Sequence, residues 1–204
     1  MTVSLLLAAG ALLVALALRP WRMLANAALI SPWLATLVIL PWLWALPRLQ
    51  AMPLQLPWSG ACLAVLMLGW PLAVPTLCLA AALSALVAAT DAAGLLHMAA
   101  WLGVAPATLA AALGAALRRW VHRHPFVYIL GRAFLGTAAC VFAAGALAQW
   151  SGHELAHVDP GLSLVALALM AAGEAFITGM LAAVLVAFRP EWLATWSDRL
   201  YLRP

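Results

Sequence analysis

The chain has 204 residues, of which 68% are hydrophobic and only 8% are charged. This composition excludes a soluble globular domain and predicts an integral membrane protein built from transmembrane helices. The formal net charge of +4 comes from a few residues at the ends of apolar segments, which indicates topology signals and excludes a nucleic-acid-binding surface.

Seven apolar segments follow one another along the chain with short connections between them. The run that begins at residue 54 is too long for one span, and Gly69-Trp70-Pro71 divides it because proline suits the first turn of a helix. Basic residues are densest after the first segment, in the loop 118–124 and after the last segment, which places these sides in the cytoplasm. The predicted spans are 2–18, 25–46, 54–69, 71–89, 92–117, 126–150 and 161–188.

The predicted fold is therefore all-α, a polytopic transmembrane helix bundle with about seven spans, or six. Its N-terminus is expected outside and its C-terminus in the cytoplasm. Residues 1–204 form a single integral membrane domain, expected in the cell inner (plasma) membrane and in contact with the lipid bilayer. Because every loop is short, no catalytic domain is expected and the protein is predicted not to be an enzyme.

Two charged residues fall inside predicted spans. Glu174 lies near the middle of the last span, and Arg132 lies in the sixth, near its cytoplasmic end. A charge in hydrocarbon is costly and usually faces the bundle interior or a partner. We therefore predict that Arg132 and Glu174 form an intramembrane charge pair that holds the last two helices in register. A structural ion pair, a snorkelling arginine and a functional relay remain open.

The predicted exterior loop before the last span contains HELAH at 153–157, which matches the pattern H-E-x-x-H. In zinc hydrolases the two histidines of this pattern lie one helical turn apart and bind the metal, while the glutamate acts as base. Here the pattern lies in a short loop, and Asp159 is the only obvious further ligand. Three interpretations stay open: a surface loop without metal, capture of a metal ion by His153, His157 and Asp159, and a hydrolase.

A further histidine, His97, lies inside the fifth predicted span, near its exterior end. An imidazole at this depth is costly unless it is hydrogen-bonded. His97 is therefore a candidate metal ligand, and the alternative is a satisfied packing residue.

Four stretches of the chain resemble the membrane (substrate-binding) component of energy-coupling-factor transporters for cobalt and nickel, the CbiM/NikM family, and especially its shorter branch. The resemblance implies the seven-span fold and uptake of a divalent transition metal ion as substrate. It also implies partners, namely a transmembrane coupling subunit and cytoplasmic ATPase subunits. The stretches are WSGACLAVLMLGWPLAV (58–74), TDAAGLLHMAAWLGVAP (90–106), HPFVYILGRAFLG (124–136) and GEAFITGMLAAVLVAFRPEWL (173–193).

Two family metal ligands are absent. Members that bind nickel or cobalt begin with Met-His, whereas this chain begins Met1-Thr2, and the family histidine ahead of the Ser-Gly run is replaced by Pro57 or Trp58. A relocated metal site would have to use His97 or the HELAH histidines. The alternative is a non-transporting membrane helper or assembly subunit of another complex, with the former substrate cavity filled by Trp and Leu.

Overall fold

The structure is a computed structural model that describes residues 2–50, 58–121, 124–152, 160–197 and 201. All regular elements in these ranges are helical. The α-helices are α1 (Thr2–Ala17), α2 (Ile30–Leu49), α3 (Ala61–Leu68), α4 (Trp70–Val87), α5 (Ala92–His97), α6 (Ala105–Trp120), α7 (Gly136–Trp150) and α8 (Pro160–Phe188). Wide π-helical turns cover Met98–Val104 and Val127–Leu135, and short 3-10 helices cover Pro20–Ala25, Ala27–Leu29 and Pro190–Trp192.

Among the described residues, five helical stretches are long and apolar enough to cross a membrane. In the most apolar 18-residue window of each stretch, no more than 44% is buried inside the protein, which leaves apolar surface for contact with lipid. The chain is therefore an all-α, multi-pass membrane bundle, as the composition predicted. The five stretches are Ala27–Leu49, Trp70–Val87, Ala92–Trp120, Val127–Trp150 and Leu162–Phe188.

The core lies around α4, which packs against α1, α2, α3 and the π-helical turn Met98–Val104. Small residues allow these close contacts. Gly103 is an example, because a Cβ at this position would lie 3.3 Å from both Leu77 and the ring of Trp44. On the other side of the bundle, α7 packs along α8, and α6 packs along α7.

The third helix is shorter than the sequence predicted. A helix was expected over 54–69, but α3 begins only at Ala61 and spans about 12 Å. The reason is Gly60, whose φ of +65° cannot continue a right-handed helix. The predicted break at the other end is confirmed, since Gly69 has a φ of +72° and α4 begins at Trp70 with Pro71 in its first turn.

Candidate functional site

The carboxylate of Glu174 contacts the two residues immediately before α3, inside the bundle. Glu174 lies midway along α8, about 21 Å from each end of that helix. Its Oε2 accepts a hydrogen bond from the backbone N–H of Ser59 at 2.9 Å, and its Oε1 accepts one from the N–H of Gly60, also at 2.9 Å. The residue is 1% exposed. The middle of the last long helix therefore fastens a backbone segment from the first third of the chain.

The electrostatics of a helix N-terminus explain why a carboxylate fits here. The first N–H groups of a helix have no partner within the helix, and the helix dipole places positive charge at this end. Gly60 precedes α3 and has no side chain to cap it. Glu174 supplies the missing acceptor from another helix, and bonds to a charged acceptor are stronger than neutral ones. These contacts offset part of the cost of burying a carboxylate and of interrupting the backbone.

The other polar groups of Ser59, where the backbone leaves the helical pattern before α3, are also bonded within the protein. The carbonyl oxygen of Ser59 accepts a hydrogen bond from the indole N–H of Trp44 at 3.0 Å. The Ser59 hydroxyl donates to the carbonyl oxygen of Leu102 at 2.7 Å and accepts the N–H of Ala61 at 3.1 Å. Ser59 and Trp44 are each 1% exposed. Backbone that leaves the helical pattern inside a bilayer must be satisfied in this way, because no water replaces the lost bonds.

Glycine is required at position 60 for two reasons. Its positive φ is strained for residues with a side chain. A Cβ there would also lie 2.6 Å from Cδ1 of Leu40, a residue of α2 that packs against Gly60. Leu40 and Trp44 therefore pack against Gly60 and Ser59, the two residues whose N–H groups bind the Glu174 carboxylate.

The predicted ion pair between Arg132 and Glu174 is not formed. Both carboxylate oxygens of Glu174 bond to backbone N–H groups, and the ion pair that the described residues form is the exposed one between Arg189 and Glu191. Arg132 lies near the start of its own helix, where its guanidinium sits 5.6 Å from the ring centroid of Tyr128. The prediction considered only the signs of the charges. In the structure, the two backbone N–H groups immediately before α3 lie within reach of the carboxylate and bind it.

Of the four candidate metal ligands, His97 is the one that the structure describes. His97 is half-buried at the end of α5, where the helix widens into the π-helical turn. His153, His157 and Asp159 lie outside the described residues, so their arrangement stays a prediction. Within the described ranges, no three His, Cys, Asp or Glu side chains are grouped closely enough to hold a metal ion.

The opposite end of α3 is held by the segment after α8. The last carbonyl groups of a helix lack partners, and two of those in α3 are satisfied by this segment. The N–H of Ala194 donates to the carbonyl of Met67 at 2.9 Å, and the N–H of Thr195 donates to that of Leu66 at 3.3 Å. Because α3 meets Glu174 at its start and the segment after α8 at its end, it runs alongside the second half of α8 in the same direction.

A hydroxyl relay reinforces this contact. The hydroxyl of Thr195 donates to the carbonyl of Leu66 at 2.9 Å, and it lies 2.8 Å from the hydroxyl of Tyr128. Since the single proton of Thr195 is directed to Leu66, Tyr128 must be the donor to Thr195. Around it, Tyr128, Trp196 and Tyr201 form an aromatic cluster with ring centroids 4.7 to 5.2 Å apart. We call the segment 193–201, where the structure describes it, the tail clamp.

Comparison with protein-family models, with curated proteins and with solved structures finds no match to this chain.

Proposed function

We propose that this chain is the permease-like membrane component of an energy-coupling-factor type ABC transporter. In this proposal it crosses the membrane seven times, with α1 as one of the two short crossings and α3 as the cytoplasmic half of the other. The N-terminus is outside and the tail clamp is on the cytoplasmic side.

One observation carries the proposal. Three of the stretches that resemble the transporter component converge on a single residue, Ser59, although they are far apart in the chain. Ser59 belongs to 58–74, bonds through its N–H to Glu174 of 173–193, and bonds through its hydroxyl to Leu102 of 90–106. A resemblance that came only from shared apolar composition gives no reason for its polar residues to meet at one point.

The type of structure at this point also favours transport. Interrupted helices with polar backbone near the middle of a membrane are typical of transporter binding sites, where half-helix ends face the substrate. Here α3 is such a half-helix, and Glu174 occupies its N-terminus. We infer that Glu174 holds the resting state and that substrate entry requires this contact to rearrange.

Coupling to ATP hydrolysis would need partner subunits, because the described chain is a membrane bundle with short connections. The tail clamp gives such partners a physical route to the site. It binds the end of α3 through Leu66 and Met67, and the start of the same helix binds Glu174. A helix of about 12 Å therefore connects the surface where a cytoplasmic ATPase would dock with the buried carboxylate.

The candidate substrate is a divalent transition metal ion, with His97, His153, His157 and Asp159 as candidate ligands on the outer side. Metal content of the purified full chain after incubation with cobalt, nickel or zinc tests this. We expect about one ion per chain, lost in His97→Ala and in the His153→Ala/His157→Ala double variant, and retained in the control His124→Ala. Absence of bound metal, or equal binding by all variants, would contradict a metal substrate.

A second function, that of a non-transporting helper or assembly subunit, is favoured by a different observation. Leu40 and Trp44 pack against Gly60 and Ser59, and the N–H, hydroxyl and carbonyl groups of Ser59 already have partners inside the protein. Measurement of metal uptake by cells that express the chain with its partners separates the two functions. Uptake that needs Glu174 supports transport, whereas a Glu174→Gln variant that leaves uptake unchanged while the complex is lost supports the helper.

A further inference from the structure

Arg132 lies in a half-open cavity near one end of the bundle, away from the Glu174 site. The enclosed part of the cavity has room for about one water molecule. Its lining consists of Gly114, Leu117, Arg118, Val121, Val127, Tyr128, Arg132 and Tyr201.

Two arginines with no described counter-ion line this cavity. Arg132 is only 7% exposed, and its Nε and Nη1 have no hydrogen-bond partner among the described residues. Arg118 lines the same cavity as Arg132. Of the acidic residues that the structure describes, none lines the cavity. Burying a guanidinium without satisfying its donors is costly, so these groups favour an acceptor, and an anion would also balance the positive charge.

Gly114 and Tyr128 enclose the guanidinium of Arg132 from two sides. A Cβ at position 114 would lie 2.6 Å from Nε of Arg132, so glycine on α6 leaves the room that the guanidinium occupies. On the other side, the ring of Tyr128 lies below the guanidinium. The planar fork of arginine binds carboxylate and phosphate oxygens with paired N–H donors.

The surroundings favour a lipid as the source of the phosphate. Trp120 and Phe126, which flank the cavity in sequence, are 78% and 67% exposed. Exposed aromatic side chains at the ends of membrane helices are typical of the layer where headgroups lie. The cavity is lined by two membrane helices and Tyr201, and two arginines contribute to this lining. The exposed aromatic residues beside it favour a position at headgroup level.

We propose that the open mouth of this cavity binds a phosphate-type oxyanion, with the headgroup phosphate of an anionic phospholipid as its source. The enclosed part, which has room for about one water molecule, would then take a single phosphate oxygen. Arg132 provides the buried donors, and Arg118 provides the second positive charge at the entrance. The site is independent of any metal substrate and of Glu174.

The test is a titration of the purified full chain in a neutral detergent with short-chain phosphatidylglycerol, short-chain phosphatidylcholine and inorganic phosphate. The readouts are the thermal unfolding midpoint and bound ligand by native mass spectrometry. We expect saturable binding of phosphatidylglycerol, weakened about tenfold or more in Arg132→Gln and by a smaller factor in Arg118→Gln, because charge-assisted hydrogen bonds are lost. The exposed Arg189→Gln is the matched control and should bind like the wild type.

Arg118 is exposed, so Arg118→Gln remains informative even where Arg132→Gln does not fold. Gly114→Ala, which displaces the guanidinium but keeps its charge, should also weaken binding. Equally strong binding of inorganic phosphate would support the oxyanion site and assign it to free phosphate. The proposal would be overturned if neither phosphatidylglycerol nor inorganic phosphate bound, or if the wild type, Arg132→Gln and Arg118→Gln bound equally.

Discussion

Glu174 and Gly60 lie 114 residues apart in the chain and are joined by a hydrogen bond of 2.9 Å in the middle of the bundle. The same carboxylate accepts the N–H of Ser59. This contact fixes the start of α3 at the level of Glu174, which is the only acidic residue of α8, the longest helix. The first three predictions below depend on it or on the tail clamp at the other end of α3.

Glu174→Gln should destabilise the protein by about 1–3 kcal/mol. The amide keeps one acceptor, but its NH2 group faces a backbone N–H that then has no partner. Thermal or denaturant unfolding in detergent measures the change. Glu191→Gln is the matched control, because its ion pair with Arg189 is exposed and should contribute less than about 1 kcal/mol. Equal effects of the two substitutions would contradict the role of Glu174.

Gly60→Ala should destabilise the protein by at least about 2 kcal/mol, from backbone strain at positive φ and from overlap with Leu40. Gly10→Ala serves as the control, since a Cβ in that helical position meets nothing within 4 Å. This control should stabilise α1 by about 0.5–1 kcal/mol. Opposite signs of the two changes in unfolding experiments are the expected result, and a neutral Gly60→Ala would exclude a left-handed break before α3.

Thr195→Val should loosen the tail clamp. It removes the bond to Leu66 and leaves the hydroxyl of Tyr128 without its acceptor, which costs about 1–2 kcal/mol. Hydrogen exchange at the N–H of Ala194 reports on the clamp directly and should become faster. In a double-mutant cycle, Thr195→Val and Tyr128→Phe should be less than additive because they share one hydrogen bond. Strict additivity, with unchanged exchange, would show that the hydroxyl pair does not hold the segment.

The proposed orientation predicts which cysteine substitutions react with a membrane-impermeant thiol reagent. Ser151→Cys, at the end of α7, should react in intact cells, whereas Arg119→Cys should react only after permeabilisation. The native thiols give a low background, since Cys62 and Cys140 are buried and Cys78 is half-buried. The reverse labelling pattern would invert the orientation, and labelling of both positions from one side would change the number of spans.

Much of the fold could be predicted because membrane helices are defined by local composition. The break at Gly69 was predicted correctly, since glycine followed by Trp-Pro limits the backbone by itself. The break at Gly60 was missed. It lies within an apolar run and depends on a carboxylate 114 residues away, which periodicity does not reveal.

The site was predicted only in part. That Glu174 needs a partner followed from the cost of a buried charge, but the choice of Arg132 was wrong. Charge signs are visible in a sequence, whereas free N–H groups at a helix start become visible only once the helix is located. The tail clamp is indicated in the sequence only by the aromatic residues Trp196 and Tyr201 after the last span. These residues do not by themselves indicate a contact with α3. The metal ligands His153, His157 and Asp159 remain predictions.

The most direct test of the proposed function is isolation of the tagged full chain from its native membrane in a mild detergent, followed by identification of the co-purified subunits and an ATP hydrolysis assay. We predict that a transmembrane coupling subunit and ATPase subunits co-purify in stable proportion to the chain and hydrolyse ATP, and that both are recovered more weakly with Thr195→Val. Isolation of the chain alone, or within a complex that has no ATP-hydrolysing subunit, would contradict it.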